Sequence, residues 1–420
     1  MVYLYPSVCI CGSNFLTTPV STYRALLAAP DVRALLLAAL LARLAGRMFA
    51  LAIVLYALAR FSSPELAGWL AFAAVAPGLL ISPIAGALID RVGSAWAITV
   101  DMAASAILLA TLALADRIGA AEPALVLLLT GAYSLTSPLS FAGIRALLPR
   151  LVPTDALGRA NALDTALHGL TDVIGPASAG VLVGFAGSIA ALCLIAAIYA
   201  AAAISLARVP HLAGRMPGLR ALLALAWFGL RRVVAQPTLR GLAVSYSLYE
   251  VCWGILVVVV PVFTAQRFGS GAGATIAGLL WAGLGLVGAI AALVAGHLPA
   301  ADRERRMMAI GMLLTAASAW PISAMFGLPG LAFGLMLIGA AAGPIDVGVL
   351  TLRQRRTDPA ELGRVLSVSM SLNLAGGPLG SALGGLLVVW SLSGTFTIAA
   401  LAATLGACAV SLIPGGTDRA

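Results

Sequence analysis

The 420-residue sequence contains no lysine, and all 25 of its basic residues are arginine. A Walker A loop needs a lysine to reach nucleotide phosphates, and Schiff-base catalysis needs a lysine amine. Both chemistries are therefore excluded. Charge of either sign is scarce, at 10% of residues, against roughly 25% in soluble domains. Between Asp172 and Glu250 there is no acidic residue at all. The 5 cysteines (Cys9, Cys11, Cys193, Cys252, Cys408) are too scattered for a disulfide framework. No histidine or further cysteine follows Cys9 and Cys11 at ligand spacing, so no metal is expected. No nucleophile, base and orienting residue converge in the sequence, so neither an enzyme nor a cofactor is expected. Residues 1–29 lack a charged segment leading into an apolar core, so the first span is expected to serve as the insertion signal.

Apolar residues fill the space that charge leaves, at 61% of the chain, with a mean hydropathy of +1.04. A bilayer-spanning helix takes roughly 20 apolar residues. Runs between charged or Pro/Gly breaks predict twelve spans: 34–59, 66–89, 95–114, 123–143, 160–184, 187–207, 240–263, 273–296, 307–326, 328–350, 364–388 and 394–413. The fold class is thus an all-α polytopic membrane protein, and an even number of spans puts both termini on one side.

Arginine placement sets the orientation. Twenty arginines fall in the termini and the loops on their side, three (Arg60, Arg117, Arg267) fall on the opposite face, and Arg43 and Arg47 lie inside span one. The positive-inside rule then makes both termini cytoplasmic. The net charge of +9 is accounted for by topology, which removes the reason to expect a nucleic-acid partner. The expected organisation is a tail over 1–33, a six-helix bundle over 34–207, a basic linker over 208–239, a second six-helix bundle over 240–413 and a tail over 414–420. Leu219 to Val234 reads as an amphipathic linker helix on the inner leaflet, in contact with anionic lipid.

The halves resemble each other. Leu157-Gly158-Arg159 recurs as Leu362-Gly363-Arg364, an offset of 205, and at that offset Gly180 falls on Gly385. Two copies of a six-helix unit are the repeat pattern of secondary transporters.

The loop after span two reads Gly86-Ala87-Leu88-Ile89-Asp90-Arg91-Val92-Gly93. It resembles the signature of the major facilitator superfamily, in which glycines allow close helix approach while Asp and Arg lock the cytoplasmic gate. Ser94 and Ala95 stand where the family pattern continues with basic residues, and the second half keeps only Asp302 and Arg303 of a copy. Span five carries Gly175-Pro176-Ala177-Ser178-Ala179-Gly180, similar to the Gly-Pro motif of the family's antiporters. Arg145 to Asn161 looks like the corresponding loop of the branch of siderophore, macrolide and multidrug exporters. The resemblance implies two pseudo-symmetric six-helix bundles that rock about a central site, monomeric, in the inner or plasma membrane, driven by protons and not by ATP.

Eight ionisable residues lie inside predicted spans: Arg43, Arg47, Asp101, Asp164, His168, Asp172, Glu250 and Asp346. Each costs about 2.5–3.5 kcal/mol at the bilayer centre if unpaired, so each should face a partner or a cavity. Asp164, His168 and Asp172 are spaced i, i+4, i+8 and share one face of span five. Counting from the span starts puts Arg47 level with Asp172 and Arg43 level with His168. A charge ladder is expected there, as coupling machinery or as a structural bridge. Glu250, beside Tyr246 and Tyr249, is the expected second proton site. Asp346 is assigned to the gate, with Arg353 or Arg355 as partner, and Asp101 to a helix-end pair with Arg91. The expected function is proton-coupled export of a small organic molecule. Uptake of an anionic substrate and a transport-inactive sensor are the alternatives.

Overall fold

A computed structural model describes residues 22–153, 156–207, 209, 219–297, 303–319, 326–357 and 362–415. Among these residues nine helices are long and apolar enough to cross a membrane. Two of the nine are pairs joined at a glycine with left-handed backbone, Gly187 (φ 83°) and Gly269 (φ 78°). A side chain is strained at such φ values, so glycine is what permits these two turns. A further helix, Glu304–Ala317, completes twelve.

They are α1 (Pro30–Phe61), α2 (Pro64–Ala73 and Ala76–Val92), α3 (Ser94–Arg117), α4 (Pro123–Leu151), α5 (157–186) and α6 (188–206) in the first half. The second half holds α7 (237–268), α8 (270–297), α9 (Glu304–Ala317), α10 (Gly327–Arg356), α11 (Leu362–Leu374 and Gly376–Val388) and α12 (Leu392–Ala409). Starts of spans fall where chemistry dictates. Pro30, Pro64 and Pro123 occupy first-turn positions, where a missing N–H costs nothing, and Ser63 and Ser391 cap the helices that follow them. The break in α2 leaves the Gly78 N–H without a helical partner, and the buried Ser134 hydroxyl on α4 accepts it at 2.9 Å.

Small residues set the packing, as expected where lipid removes most of the hydrophobic drive between helices. Gly376, Gly380 and Gly384 form a stripe on α11 that lies against Ser247, Val251 and Ile255 of α7. At the 205-residue offset their counterparts on α5 are Thr171, Gly175 and Ala179, all buried. The repeat inferred from sequence is thus carried in the residues that let α5 and α11 approach their own halves.

The linker helix, Leu219–Ala235, packs against α2 and α11, one from each half. Val233 is buried near its end, among Leu239, Val368 and Leu372. On the same face, buried Glu304 accepts a hydrogen bond from Arg355 at 2.8 Å.

Candidate functional site

The ladder between α1 and α5 exists, with one rung shifted. Arg43 donates from Nη1 and Nη2 to the two carboxylate oxygens of Asp164, at 2.8 and 3.1 Å, and from Nη1 to the Asp164 carbonyl at 3.1 Å. Its partner is therefore Asp164, one turn from the His168 level expected. Bidentate geometry of this kind is the strongest arginine–carboxylate arrangement. Arg47 Nε lies 2.5 Å from Asp172 Oδ1. His168 sits between the two pairs, within electrostatic range of Asp172, Arg47 and Arg43.

The rungs differ in exposure. The Arg43 and Asp164 side chains are 14% and 16% exposed, while Arg47 and Asp172 are 47% and 36% exposed at mid-span. A cavity therefore reaches the deeper pair.

The Gly-Pro motif seats that pair. A Cβ on Gly175 would collide with the Arg47 side chain, so only glycine lets α1 come close enough to put Arg47 beside Asp172. Gly175→Leu is expected to displace Arg47 and lower transport by at least about tenfold, since a displacement near 1 Å at a working site costs up to about a hundredfold. Comparing the transport rate of this variant at equal membrane abundance checks the point, and an unchanged rate would contradict it.

Across the cavity the second half presents acids and rings. Tyr246 donates to Asp346 Oδ1 at 2.7 Å, and Glu250 lies one turn further along α7. Gly377, which the 205-residue offset equates with Asp172, leaves room for the Glu250 carboxylate: a Cβ there would lie 3.3 Å from its Oε2. Glu250 is within electrostatic range of Asp346 in its own half and of Arg47 in the other. Trp253 and Trp281 continue the wall, with ring centroids 6.0 Å apart, and the buried Tyr249 backs Trp253 at 6.4 Å.

Two assignments change. Asp346 pairs with neither Arg353 nor Arg355. Arg355 is taken by Glu304, and Arg353 is buried against Asn373, whose amide carbonyl accepts from Nη2 at 2.5 Å when the amide is turned to donate to Ser369. Asp346 is exposed and belongs with Tyr246 and Glu250. Asp101 is not at a helix end: it is buried at 3% exposure, close to the hydroxyls of Ser105, Thr136 and Ser140. Of the gate motif, Gly93 has left-handed φ (89°) between α2 and α3, where its N–H caps Ile89 at 2.9 Å. Gly86, Asp90 and Arg91 are described in their backbone alone, and Asp302, His211 and the tail cysteines lie outside the described residues.

Arg145 was assigned by sequence to a loop, but α4 runs on to Leu151 and carries it. It lies over the Phe141 ring at 4.5 Å and within electrostatic range of Asp164 and Arg43. The continuing apolar pair Leu147-Leu148 is the available signal, and Pro149, which reads as a helix break, is accommodated inside α4.

The halves meet backbone to backbone at the face opposite the arginine-rich loops. A Cβ on Gly180 of α5 would come within 2.7 Å of Gly278 Cα on α8, and one on Gly68 of α2 within 2.9 Å of Gly385 Cα on α11. Pro176, the other half of the motif, contributes its carbonyl to the first crossing, 2.5 Å from where a Gly278 Cβ would stand. Closure at that face and exposure at mid-span together mean that the cavity opens toward the arginine-rich face.

Comparison with known proteins agrees with this architecture. The family model of the Major Facilitator Superfamily matches residues 35–300 and 242–417. The chain is 53% identical over 393 residues to an uncharacterized MFS-type transporter, y4rN, of Sinorhizobium fredii (strain NBRC 101917 / NGR234), covering 94% of this chain and 97% of that one. Among solved structures it resembles the nucleoside transporter NupG (TM-score 0.73, 14% identity, 91% of this chain and 98% of that one). It also resembles a POT family transporter in complex with 5-aminolevulinic acid (TM-score 0.67, 14% identity, 90% and 94%). At such identities the structural likeness establishes the fold. Family model and relative together establish that the chain belongs to the major facilitator superfamily of membrane transporters.

Proposed function

We propose that this transporter exports a small organic molecule in exchange for protons, from a cell membrane in which both termini face the cytoplasm. The observation that carries the reading is the half-exposed Arg47–Asp172 pair at mid-span, facing Glu250 across the cavity. Charges at this depth are functional by default, because each must be matched or hydrated.

In the conformation described, the pair is formed and the cavity opens toward the arginine-rich side. That is the state expected after a proton has left for the cytoplasm. Protonation of Asp172 from the other side would neutralise the acid and release Arg47, and Glu250 would carry a second proton. Each proton entering down 100 mV supplies about 2.3 kcal/mol, enough to drive the cycle uphill for substrate. The Gly-Pro motif that seats Arg47 supports exchange over uptake, through its likeness to the family's antiporters.

The test uses everted membrane vesicles energised to an acidic interior. Candidate substrates are expected to collapse the gradient when this chain is present and not when it is absent. Substrate movement with no proton counterflow would contradict the exchange.

A further inference from the structure

One wall of the cavity carries an arginine charge without a matching acid and the other carries two carboxyl groups without an arginine partner, and we propose that they select a zwitterion: a small molecule whose carboxylate is held by Arg47, reached past Arg145, and whose protonated amine is held by Glu250 and Asp346 once they are ionised. The inference rests on the exchange reading above and names its substrate class.

On the first-half wall stand three arginines and two acids. Arg43 is fully engaged by Asp164. Arg47 has one partner and remains half exposed. Arg145 makes no ion pair among the described residues and rests only on the Phe141 ring. One positive charge is left over. On the second-half wall Glu250 and Asp346 stand within electrostatic range of each other, and no described arginine ion-pairs with either. The nearby Arg353 and Arg355 are committed to Asn373 and Glu304. The negative wall is within range of the positive one, through Arg47 and Glu250.

A pure anion meets the arginines but also the two acids, and a pure cation meets the reverse. Only a molecule carrying both signs matches both walls, and like-charge contacts reject the others. Trp253 and Trp281 extend the negative wall beyond Glu250, and ring faces of this kind hold an ammonium or an apolar body.

The same arrangement links substrate to proton. The Glu250 carboxylic acid releases its proton to cavity water, and the carboxylate so formed pairs with the substrate ammonium, which keeps its own protons. The substrate carboxylate competes with Asp172 for Arg47 in the same step.

The test is binding of matched compound sets to the purified full-length protein, followed by thermal shift. Dipeptides, aromatic amino acids and ω-amino acids are each tried free, N-acetylated and as methyl esters. At least one free zwitterion is expected to bind, with both blocked forms at least tenfold weaker. Arg145→Gln should weaken that zwitterion severalfold or more and leave its methyl ester unchanged. Glu250→Gln should weaken it and leave the N-acetyl form unchanged. Stabilisation by an anionic or a cationic form alone, or by no member of the panel, would overturn the proposal. In proteoliposomes, a bound zwitterion that moves without protons would contradict the exchange and leave the zwitterion site standing. Proton-coupled movement of a purely anionic compound would do the opposite.

Discussion

Asp172→Asn is expected to accumulate in the membrane at near wild-type levels and to lose proton-driven transport by about a hundredfold, the rate equivalent of roughly 2.7 kcal/mol. The two readouts separate because of exposure. Breaking a fully buried ion pair costs about 3–5 kcal/mol and destabilises the fold. Arg47, however, is 47% exposed, so water solvates it when its partner is neutralised, and the Arg43–Asp164 pair still ties α1 to α5. What Asn removes is the group that alternately takes a proton and holds Arg47. Protein level by immunoblot and transport in vesicles check this together. Normal abundance with normal proton-driven transport would remove Asp172 from the coupling, and loss of the protein itself would make the pair structural.

Gly180→Leu is expected to have a comparable effect by another route. A Cβ at that position lies 2.5 Å from the Ala274 carbonyl and 2.7 Å from Gly278 Cα, which are backbone atoms that no rotamer change can move. Helix axes pack 8–10 Å apart depending on the side chains between them, and a leucine moves α5 and α8 off the close end of that range. Only the closed opposite face needs the crossing, so the substitution penalises this state and favours the one open on that side. Moving a two-state equilibrium from 1:99 to 99:1 takes about 5.5 kcal/mol, and a leucine wedged between two backbones is of the size to supply much of it. Hydrogen exchange at the ends of α5 and α8 near Gly187 and Gly269 is expected to rise while transport falls at least about tenfold. Unchanged exchange with unchanged transport would mean that the glycine crossing is not a gate.

The twelve spans were legible because hydropathy and arginine placement are one-dimensional properties. The α5 face was legible because the i, i+4, i+8 spacing of Asp164, His168 and Asp172 acts within one helix. Partners across helices were legible only in part. Depth counting aligns Cα atoms, but an arginine reaches about a turn, 5.4 Å, in either direction, so Arg47 met Asp172 as expected while Arg43 found Asp164. Arg145 was hidden because an arginine normally ends an apolar run, whereas α4 continues to Leu151. The glycine crossings at Gly68–Gly385 and Gly180–Gly278 are tertiary facts: the repeat marks Gly180 and Gly385, but among 45 glycines nothing in the sequence marks Gly68 and Gly278 as the residues they meet. Asp346 was assigned to arginines near it in sequence, but Tyr246, 100 positions away, holds it.

The central claim is that protons and substrate exchange through the charged walls of one cavity. The most direct measurement compares two modes of transport in Glu250→Gln: substrate counterflow, which moves no net proton, and accumulation driven by a proton gradient. The account predicts that counterflow persists at saturating substrate, where weaker binding is overcome, while gradient-driven accumulation is lost. Gradient-driven accumulation at the wild-type rate in this variant would contradict it.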